Sequence, residues 1–308
     1  MAIVMASMGG VGGLHQFCTA KEQASMVLAV KEIQGAGSII GDREYTPNID
    51  AKGRYKVGAA IGVREGTFQR AKKLIEAGVD FIVADIAHGY SDKMIETVKR
   101  IKDTFDIPIV AGNVVTLKAA YELCEAGVDC LKVGVGPGAA CTTRMGTGYG
   151  VPQITAIYET AMIARDYDVK IMADGGIRTS GDMVKALAAG ADTIMCGGIF
   201  AATRASNLFD QRIRAYDQHT GNATKLAYYG SASKKSKEKQ GRHAYDAPEG
   251  REVTIDFTGP TELILAQLIT GMQSGLSYAG RSRDPDKDEH PTISRLRSKS
   301  RWIRQTPN

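Results

Sequence analysis

The sequence predicts an α/β fold, and within that class a (β/α)8 barrel, on three observations. Short apolar runs alternate with segments of helical periodicity up to residue 199, which is typical of a parallel sheet. Several helical segments end in Ala-Gly-Val-Asp or Ala-Gly-Ala-Asp, where glycine can close a helix before the next strand. Nearly every apolar run ends in Asp, Asn, His, Cys or paired glycines. An open doubly wound sheet would also satisfy the alternation, but chemistry-bearing residues at many strand ends favour the barrel.

Seven segments are predicted as strands, and a helix precedes them. The first ten residues, MAIVMASMGG, have the pattern of an amphipathic helix with no strand before it. We therefore expect a barrel that lacks its first strand in this chain, or one that is closed in an unusual way. The strand segments are Gly10–His15, Lys56–Gly62, Phe81–Gly89, Pro108–Asn113, Cys130–Gly136, Lys170–Gly176 and Thr193–Gly198.

Helices are predicted between the strands, and the alternation ends after Ile199. The segment Asn207–Asp256 is polar and weakly periodic, and its length suits a functional flap. A last helix is expected at Thr261–Ser274, and a charged tail occupies 281–308. We expect one barrel domain over 1–308 with a flap at about 207–256. The helices between strands are predicted at Thr67–Ala77, Ser91–Phe105, Leu117–Ala126, Gln153–Arg165 and Ser180–Ala189.

The composition indicates a cytoplasmic globular protein. The five cysteines are scattered and odd in number, which argues against a disulfide framework or a zinc site. We identify no signal peptide and no apolar run long enough to cross a bilayer. The net charge of +5 comes mainly from basic segments at 233–243 and 294–304, which have few interleaved aromatic residues. A solvated surface is therefore expected there, with neither a nucleic acid nor a membrane as partner.

Cys141 is the candidate nucleophile. It lies in GVGPGAACTTRMGTGYGVPQ, Gly134–Gln153, a stretch too rich in glycine for a helix and too irregular for a strand. A free cysteine is often simply a small buried residue. Here the flanking glycines and hydroxyl groups favour a loop whose backbone N–H groups could stabilise a thiolate or an anionic ligand.

Polar residues and paired glycines at other strand ends predict a ligand cavity. Asp174, in ADGGIR, precedes one glycine pair, and CGGIF contains a second. Such pairs suit a phosphate site in a barrel, although they also occur as plain turns. Asp85, His88 and Asn113 each suit a cap or turn, but three polar groups on consecutive strand ends are typical of a lined cavity. GVGPG does not have the spacing of the dinucleotide fingerprint. The glycine pairs are Gly175, Gly176, Gly197 and Gly198.

Five motifs, in this order, resemble the family of inosine monophosphate dehydrogenases and guanosine monophosphate reductases: AGNVVT, KVGVGPGAACTTR, GTGYGVPQ, ADGGIRTSGD and YYGSAS. The resemblance extends from about Gly9 to Arg304. It implies a (β/α)8 barrel, usually a homotetramer, that binds a purine nucleotide and a nicotinamide cofactor. It also implies that Cys141 attacks purine C2 to form a covalent adduct, while hydride passes between that carbon and nicotinamide.

The resemblance also implies roles for individual residues. Thr143 and Glu249 would lie beside the reacting carbon and the purine ring, and Cys141 would be catalytic with them. Gly136, Gly138 and Cys141 form a candidate site for a monovalent cation such as K⁺, although the sequence does not decide whether activity depends on one. The nucleotide would contact Asp174, Gly175, Gly176, Gly197, Gly198, Tyr228 and Gly230. The cofactor side would consist of Asp85, Asn113, Gly134 and Gly136.

Within the family, the resemblance favours the reductase, which converts GMP to IMP and ammonia with NADPH. The reductase uses the threonine and the glutamate as a proton-transferring pair, whereas the dehydrogenase converts IMP to XMP with NAD and typically uses an Arg-Tyr pair on a long flap. The segment between Gly230 and Glu249 is short and has no Arg-Tyr dipeptide. The sequence does not disclose the choice between NADPH and NAD.

Two departures from the family pattern keep a third interpretation open. Ala139 stands where a serine or lysine is usual, and Gln16 replaces a cation that usually follows the histidine. With the missing first strand, these changes are also compatible with a catalytically impaired, nucleotide-binding relative.

Overall fold

The protein is described by a computed structural model over residues 1–206, 209–230, 233 and 249–280. Its strands are β1 Gly12–Leu14, β2 Ile39–Ile40, β3 Arg43–Glu44, β4 Val57–Ile61, β5 Phe81–Asp85, β6 Ile109–Val114, β7 Cys130–Val133, β8 Lys170–Asp174, β9 Thr193–Met195, β10 Ile213–Tyr216, β11 Ala223–Tyr229 and β12 Glu252–Asp256. Its helices are α1 Ala2–Ser7, α2 Ala20–Lys31, α3 Thr67–Glu76, α4 Asp92–Thr104, α5 Leu117–Glu125, α6 Thr143–Thr147, α7 Gln153–Asp166, α8 Ser180–Ala189, α9 Gly198–Ala201, α10 Phe209–Arg212 and α11 Thr261–Tyr278.

A seven-stranded sheet in the order β1-β4-β5-β6-β7-β8-β9 forms the centre of the fold, and each neighbouring pair is parallel. All seven predicted strands are present, so this prediction is confirmed. The sheet curls, since a methyl group built on Gly13 of β1 would lie 3.9 Å from Cε of Met195 in β9. The fold is a partial barrel in which, among the described residues, β1 and β9 are the edge strands.

The strands alternate between two apolar layers. Ile82, Ile109 and Leu131 are fully buried and pack in one cluster with residues of the surrounding helices, such as Leu74 and Leu123. The next residues along the strands, including Val83 and Val110, form a separate cluster with Cys130 on the opposite face of the sheet. Successive side chains of a strand point to opposite faces, so the second cluster fills the barrel interior.

The helices predicted between strands are confirmed, and local sequence explains several of their starts. Thr179 caps α8 with a capping box that includes Asp182, and Ser91 and Thr116 cap α4 and α5 with their hydroxyl groups. The predicted opening helix is α1. No helix among the described residues is both long and apolar enough to span a membrane.

The region after β9 contains more regular structure than the sequence predicts. Strands β10, β11 and β12 form an antiparallel sheet within the segment expected to be a weakly periodic flap. The hairpin of β2 and β3 was not predicted either. The expectation that Gly134–Gln153 is too rich in glycine for a helix was wrong in part, since the short helix α6 lies within it. Helix α11 continues to Tyr278, and its Gly271 and Gly275 lie against Ser180 and Val184 of α8. Flap residues 207–208, 231–232 and 234–248 and the tail 281–308 lie outside the described residues.

Candidate functional site

The predicted site residues on the parallel sheet lie together at the carboxyl ends of its strands. Asp85 ends β5, Asp174 ends β8, Asn113 is near the end of β6 and Gly134 follows β7. The amide of Asn113 donates to the carbonyl oxygen of Gly134 at 2.6 Å and to Oδ2 of Asp174 at 2.9 Å. The carboxyl ends of parallel strands share an edge, which is where barrel proteins build their sites.

Cys141, Thr143 and Glu249 form a continuous hydrogen-bonded chain. Sγ of Cys141 lies 3.2 Å from Oγ1 of Thr143, and this hydroxyl donates to Oε2 of Glu249 at 3.0 Å. Because the Thr143 proton points toward the carboxylate, Oγ1 can accept a hydrogen bond from the thiol. A proton leaving Cys141 therefore has a path to Glu249. Thr143 is only 9% exposed, which separates this path from bulk water.

Backbone hydrogen bonds hold Glu249 beside Cys141. The N–H of Thr142 donates to the carbonyl of Glu249 at 2.9 Å, and the N–H of Arg251 donates to the carbonyl of Ala140 at 3.0 Å. Cys141 and Gly250 form an isolated antiparallel bridge between these two bonds. The cysteine loop and the segment that leads into β12 are thus paired like two short strands.

The cysteine loop lies over the two glycine pairs. A methyl group built on Gly175 would lie 3.0 Å from Cγ of Pro137, and one on Gly198 would lie 3.7 Å from Cβ of Ala139. Gly175 and Gly176 both have left-handed backbone conformations, with φ of 89° and 77°. Side chains at these positions would be strained. Because these positions carry no side chains, the loop packs directly on their backbone.

Tyr228 and Gly230 close the same region. A methyl group on Gly197 would lie 3.2 Å from the hydroxyl oxygen of Tyr228, and one on Gly230 would lie 3.5 Å from Cβ of Ala140. Burial raises the pKa of Tyr228, and the negative charge of Asp174 adds to this effect.

Lys132 is a central residue that the sequence analysis did not single out. Its side chain is 4% exposed, and its ammonium contacts Oδ1 of Asp85 at 3.1 Å and Oδ2 of Asp174 more closely. Burial disfavours the charged ammonium, but the two carboxylates outweigh this cost, so the pKa of Lys132 is raised. The signal in the sequence was a lone lysine inside the apolar strand CLKVGVG.

Two buried acceptor atoms at the site have no hydrogen-bond partner among the described residues. They are Oδ1 of Asn113 and Oε1 of Gln153. The Nε2 atom of Gln153 is used, since it donates to the carbonyls of Val133 and Asp174. A buried unsatisfied acceptor is costly, and it suits a ligand that brings an N–H or O–H donor.

Gln16, which replaces the cation usual in the family, also lies at the carboxyl ends of the strands. Its side-chain amide donates to the carbonyl oxygen of Asp85 at 3.0 Å. His88, also predicted near the cavity, stacks edge-on against Tyr90, with ring centroids 6.3 Å apart. Gly136, in the candidate cation loop, has φ of 87° and packs against the side chain of Arg144. The described residues contain no cluster of three or more His, Cys, Asp or Glu that could hold a metal ion.

The fold and the site together define a partial (β/α) barrel with a cysteine, a hydroxyl and a carboxylate assembled over glycine-lined strand ends. A comparison with protein families matches residues 1–308 to the IMP dehydrogenase / GMP reductase domain. The chain therefore belongs to the IMP dehydrogenase and GMP reductase family, as the motifs predicted.

Relatives with both names are similar to this chain. An inosine-5'-monophosphate dehydrogenase of Aquifex aeolicus is 43% identical over 272 residues, which cover 86% of this chain and 53% of the relative. A GMP reductase of Leishmania donovani is 40% identical over 270 residues, 84% of this chain and 53% of the relative. A dehydrogenase of Cryptosporidium parvum is 40% identical over 307 residues and is covered over 76% of its length. The chain thus spans about half the length of the first two.

Proposed function

We propose that this protein is a GMP reductase, which converts GMP, NADPH and one proton to IMP, ammonia and NADP⁺ through a covalent adduct between Cys141 and purine C2. The hydrogen-bonded chain from Cys141 through Thr143 to Glu249 carries this proposal. It links the nucleophile to a carboxylate through one hydroxyl, as a reaction needs when it must remove a thiol proton and then protonate a leaving amine.

The proton path serves both the addition of Cys141 to C2 and the loss of the amino group from C2. When Sγ of Cys141 adds to C2, the thiol proton passes to Thr143 while the Thr143 proton passes to Glu249. The reverse transfer delivers a proton to the amino group at C2, which leaves as ammonia. The C–S bond breaks after reduction of C2, and the sulfur leaves as the thiolate, which takes up one proton from water to restore the thiol for the next cycle.

The residues at the strand ends fit a nicotinamide cofactor. The unsatisfied Oδ1 of Asn113 is a buried acceptor that suits the N–H of a carboxamide. Asp85, Asn113, Gly134 and Gly136 would hold the cofactor, as the family resemblance implies. When bound, the reduced nicotinamide supplies the hydride that replaces the amino group at C2.

The remaining residues suit a purine nucleotide. Gly176 and Gly197 are exposed beside the cysteine loop, and Gly175 and Gly198 are half-buried, so phosphate oxygens can approach backbone N–H groups there. Asp174 lies beside this surface and can accept from sugar hydroxyls. Tyr228 and Gly230 border the same surface.

The proposal also includes a homotetramer, a cytoplasmic location and a K⁺ site formed by carbonyl groups of Gly136, Gly138 and Cys141. The N–H of Cys141 donates to the carbonyl of Gly138 at 3.0 Å, so this loop is a tight turn with oxygen ligands of the kind hard cations prefer. Replacing K⁺ with Li⁺ in the assay tests the cation, and sedimentation tests the tetramer.

The second candidate is IMP dehydrogenase, which relatives such as the one from Aquifex aeolicus favour by name. Purified protein should be incubated with GMP and NADPH, and separately with IMP and NAD. The proposal predicts NADPH oxidation and IMP formation in the first mixture. Formation of NADH and XMP in the second mixture alone would transfer the assignment to the dehydrogenase. Nucleotide binding without turnover in either mixture would indicate an impaired relative.

A further inference from the structure

We propose that Lys132 is a positioning residue that couples the binding of the purine nucleotide to the binding of the nicotinamide cofactor. This inference rests on the proposed function, in which Asp174 serves the nucleotide and Asp85 serves the cofactor. Lys132 joins these two carboxylates, with Oδ1 of Asp85 at 3.1 Å and Oδ2 of Asp174 in close contact.

The position of Lys132 in the sheet explains how one ammonium reaches both. Along β7, Cys130 belongs to the interior cluster and Lys132 has the same orientation, so its side chain enters the barrel. Asp85 pairs in register with Gly112, and Gly112 pairs with Lys132. A methyl group on Gly112 would lie 2.7 Å from Cβ of Lys132, so glycine here leaves the approach to Asp85 open.

Lys132, Asp85 and Asp174 form a triad in which one ammonium holds two carboxylates, and its charges leave both carboxylates able to bind ligands. Two carboxylates share one ammonium, which leaves a net charge of −1 at the mouth of the barrel. Lys132 is 4% exposed, whereas the side chains of Asp85 and Asp174 are 35% and 24% exposed. Each carboxylate can thus accept a hydrogen bond from a ligand hydroxyl while it stays bonded to the ammonium.

This arrangement predicts positive coupling. The first ligand that donates to either carboxylate restricts the whole triad, because both carboxylates are held by the same ammonium. The second ligand then meets a carboxylate that is already ordered and loses less conformational entropy on binding. Coupling between sites typically changes affinity by about 5-fold or more, and it must be reciprocal.

The chain offers a matched control in Lys31. This lysine is 3% exposed and also bridges two carboxylates, with Asp80 at 2.6 Å and Asp50 at 3.2 Å. Asp80 directly precedes β5 and Asp85 ends it, so the two lysines support opposite ends of one strand. Replacing Lys31 removes an equally buried ion pair without touching the candidate site.

The experiment measures GMP affinity by calorimetry in the Cys141→Ala background, where no adduct forms, with and without saturating NADPH. We expect NADPH to tighten GMP binding at least about 5-fold. In the Lys132→Met protein, the ratio of GMP affinities with and without NADPH should be close to one. Lys132→Arg should restore part of the tightening, and Lys31→Met should leave it unchanged. If Lys132→Met does not fold, Lys132→Gln decides, since it removes the charge that joins the two carboxylates, keeps a polar side chain and should also abolish the coupling.

The outcomes separate the inference from the function on which it rests. If GMP and NADPH both bind, and the factor by which NADPH tightens GMP binding is the same in Lys132→Met or Lys132→Gln as in the Cys141→Ala parent, the inference alone is overturned. A ratio that Lys31→Met reduces as much as Lys132→Met would also overturn it, since general destabilisation would then be the cause. Failure of Cys141→Ala protein to bind any purine nucleotide would overturn the proposed function and this inference together.

Discussion

Replacing Thr143 with valine removes the central link of the proton path and little else. Valine keeps the branched shape of threonine, so replacing this side chain, which is 9% exposed, opens no cavity and the change is confined to loss of the hydroxyl group. The substitution eliminates the 3.2 Å contact to Sγ of Cys141 and the 3.0 Å hydrogen bond to Glu249. The nucleophile and the carboxylate both remain, but they are no longer connected.

The expected effect lies in the chemical step. General acid–base catalysis contributes about 10²- to 10⁴-fold, so we expect kcat for GMP reduction to fall by about 10³-fold, equivalent to about 4 kcal/mol. KM for GMP should change little, because the glycine pairs and Asp174 are untouched. Loss of the bond to Glu249 should also lower the free energy of unfolding by about 1.5–3 kcal/mol, a typical value for a hydrogen bond to a charged group.

The assay follows NADPH oxidation with varied GMP, and thermal unfolding confirms that each variant is folded. Thr143→Ser is the matched control, since it keeps the hydroxyl and should retain most of the activity. A folded Thr143→Val protein whose kcat lies within tenfold of the parent would refute the proton path. A rise in KM with unchanged kcat would show that Thr143 acts in ground-state binding instead.

Two further predictions concern single residues. Iodoacetamide near neutral pH should label Cys141 before the other described cysteines. Burial raises the pKa of Cys18, and burial raises the pKa of Cys124 to about 11 and that of Cys130 to about 12; burial and Asp174 raise the pKa of Cys196 to about 11. Mass spectrometry identifies the labelled site, and preferential labelling of Cys18 or Cys196 would contradict this. Although burial opposes ionisation of Asp50, hydrogen bonds from Arg54 and Lys31 hold its pKa below the ordinary value of about 3.9. Its contribution to stability is therefore full above about pH 4 and is lost as the pH falls, so the stability gap between the parent and Asp50→Asn should shrink in acid and not at neutral pH.

The sequence predicts the parallel sheet well because its strands are short apolar runs separated by glycine turns. The same criterion misses β10 and β12, whose residues alternate between half-buried and exposed positions and carry many polar side chains. Their pairing with β11 provides the order that their own composition does not indicate. The three strands therefore become visible only in the structure.

The sequence predicts several residues of the candidate site one by one, but it does not show which of them contact each other. Strand ends identify Asp85, Asn113 and Asp174 because parallel strands end at one edge. The contact between Thr143 and Glu249 joins residues 106 positions apart, and only the family resemblance placed them together. Lys132 was missed because the local signal, a lone lysine inside an apolar strand, does not show what the lysine contacts. Its function depends on two carboxylates contributed by other strands.

The central claim is that hydride reaches the purine carbon that Cys141 attacks. The most direct test uses NADPH carrying deuterium at C4 of the nicotinamide, with GMP as the second substrate and mass spectrometry of the purified nucleotide product. The proposed function predicts IMP with one deuterium at C2 from one of the two C4 stereoisomers, and no product from Cys141→Ala. Formation of IMP without deuterium from both stereoisomers, or no IMP from the folded parent protein, would contradict it.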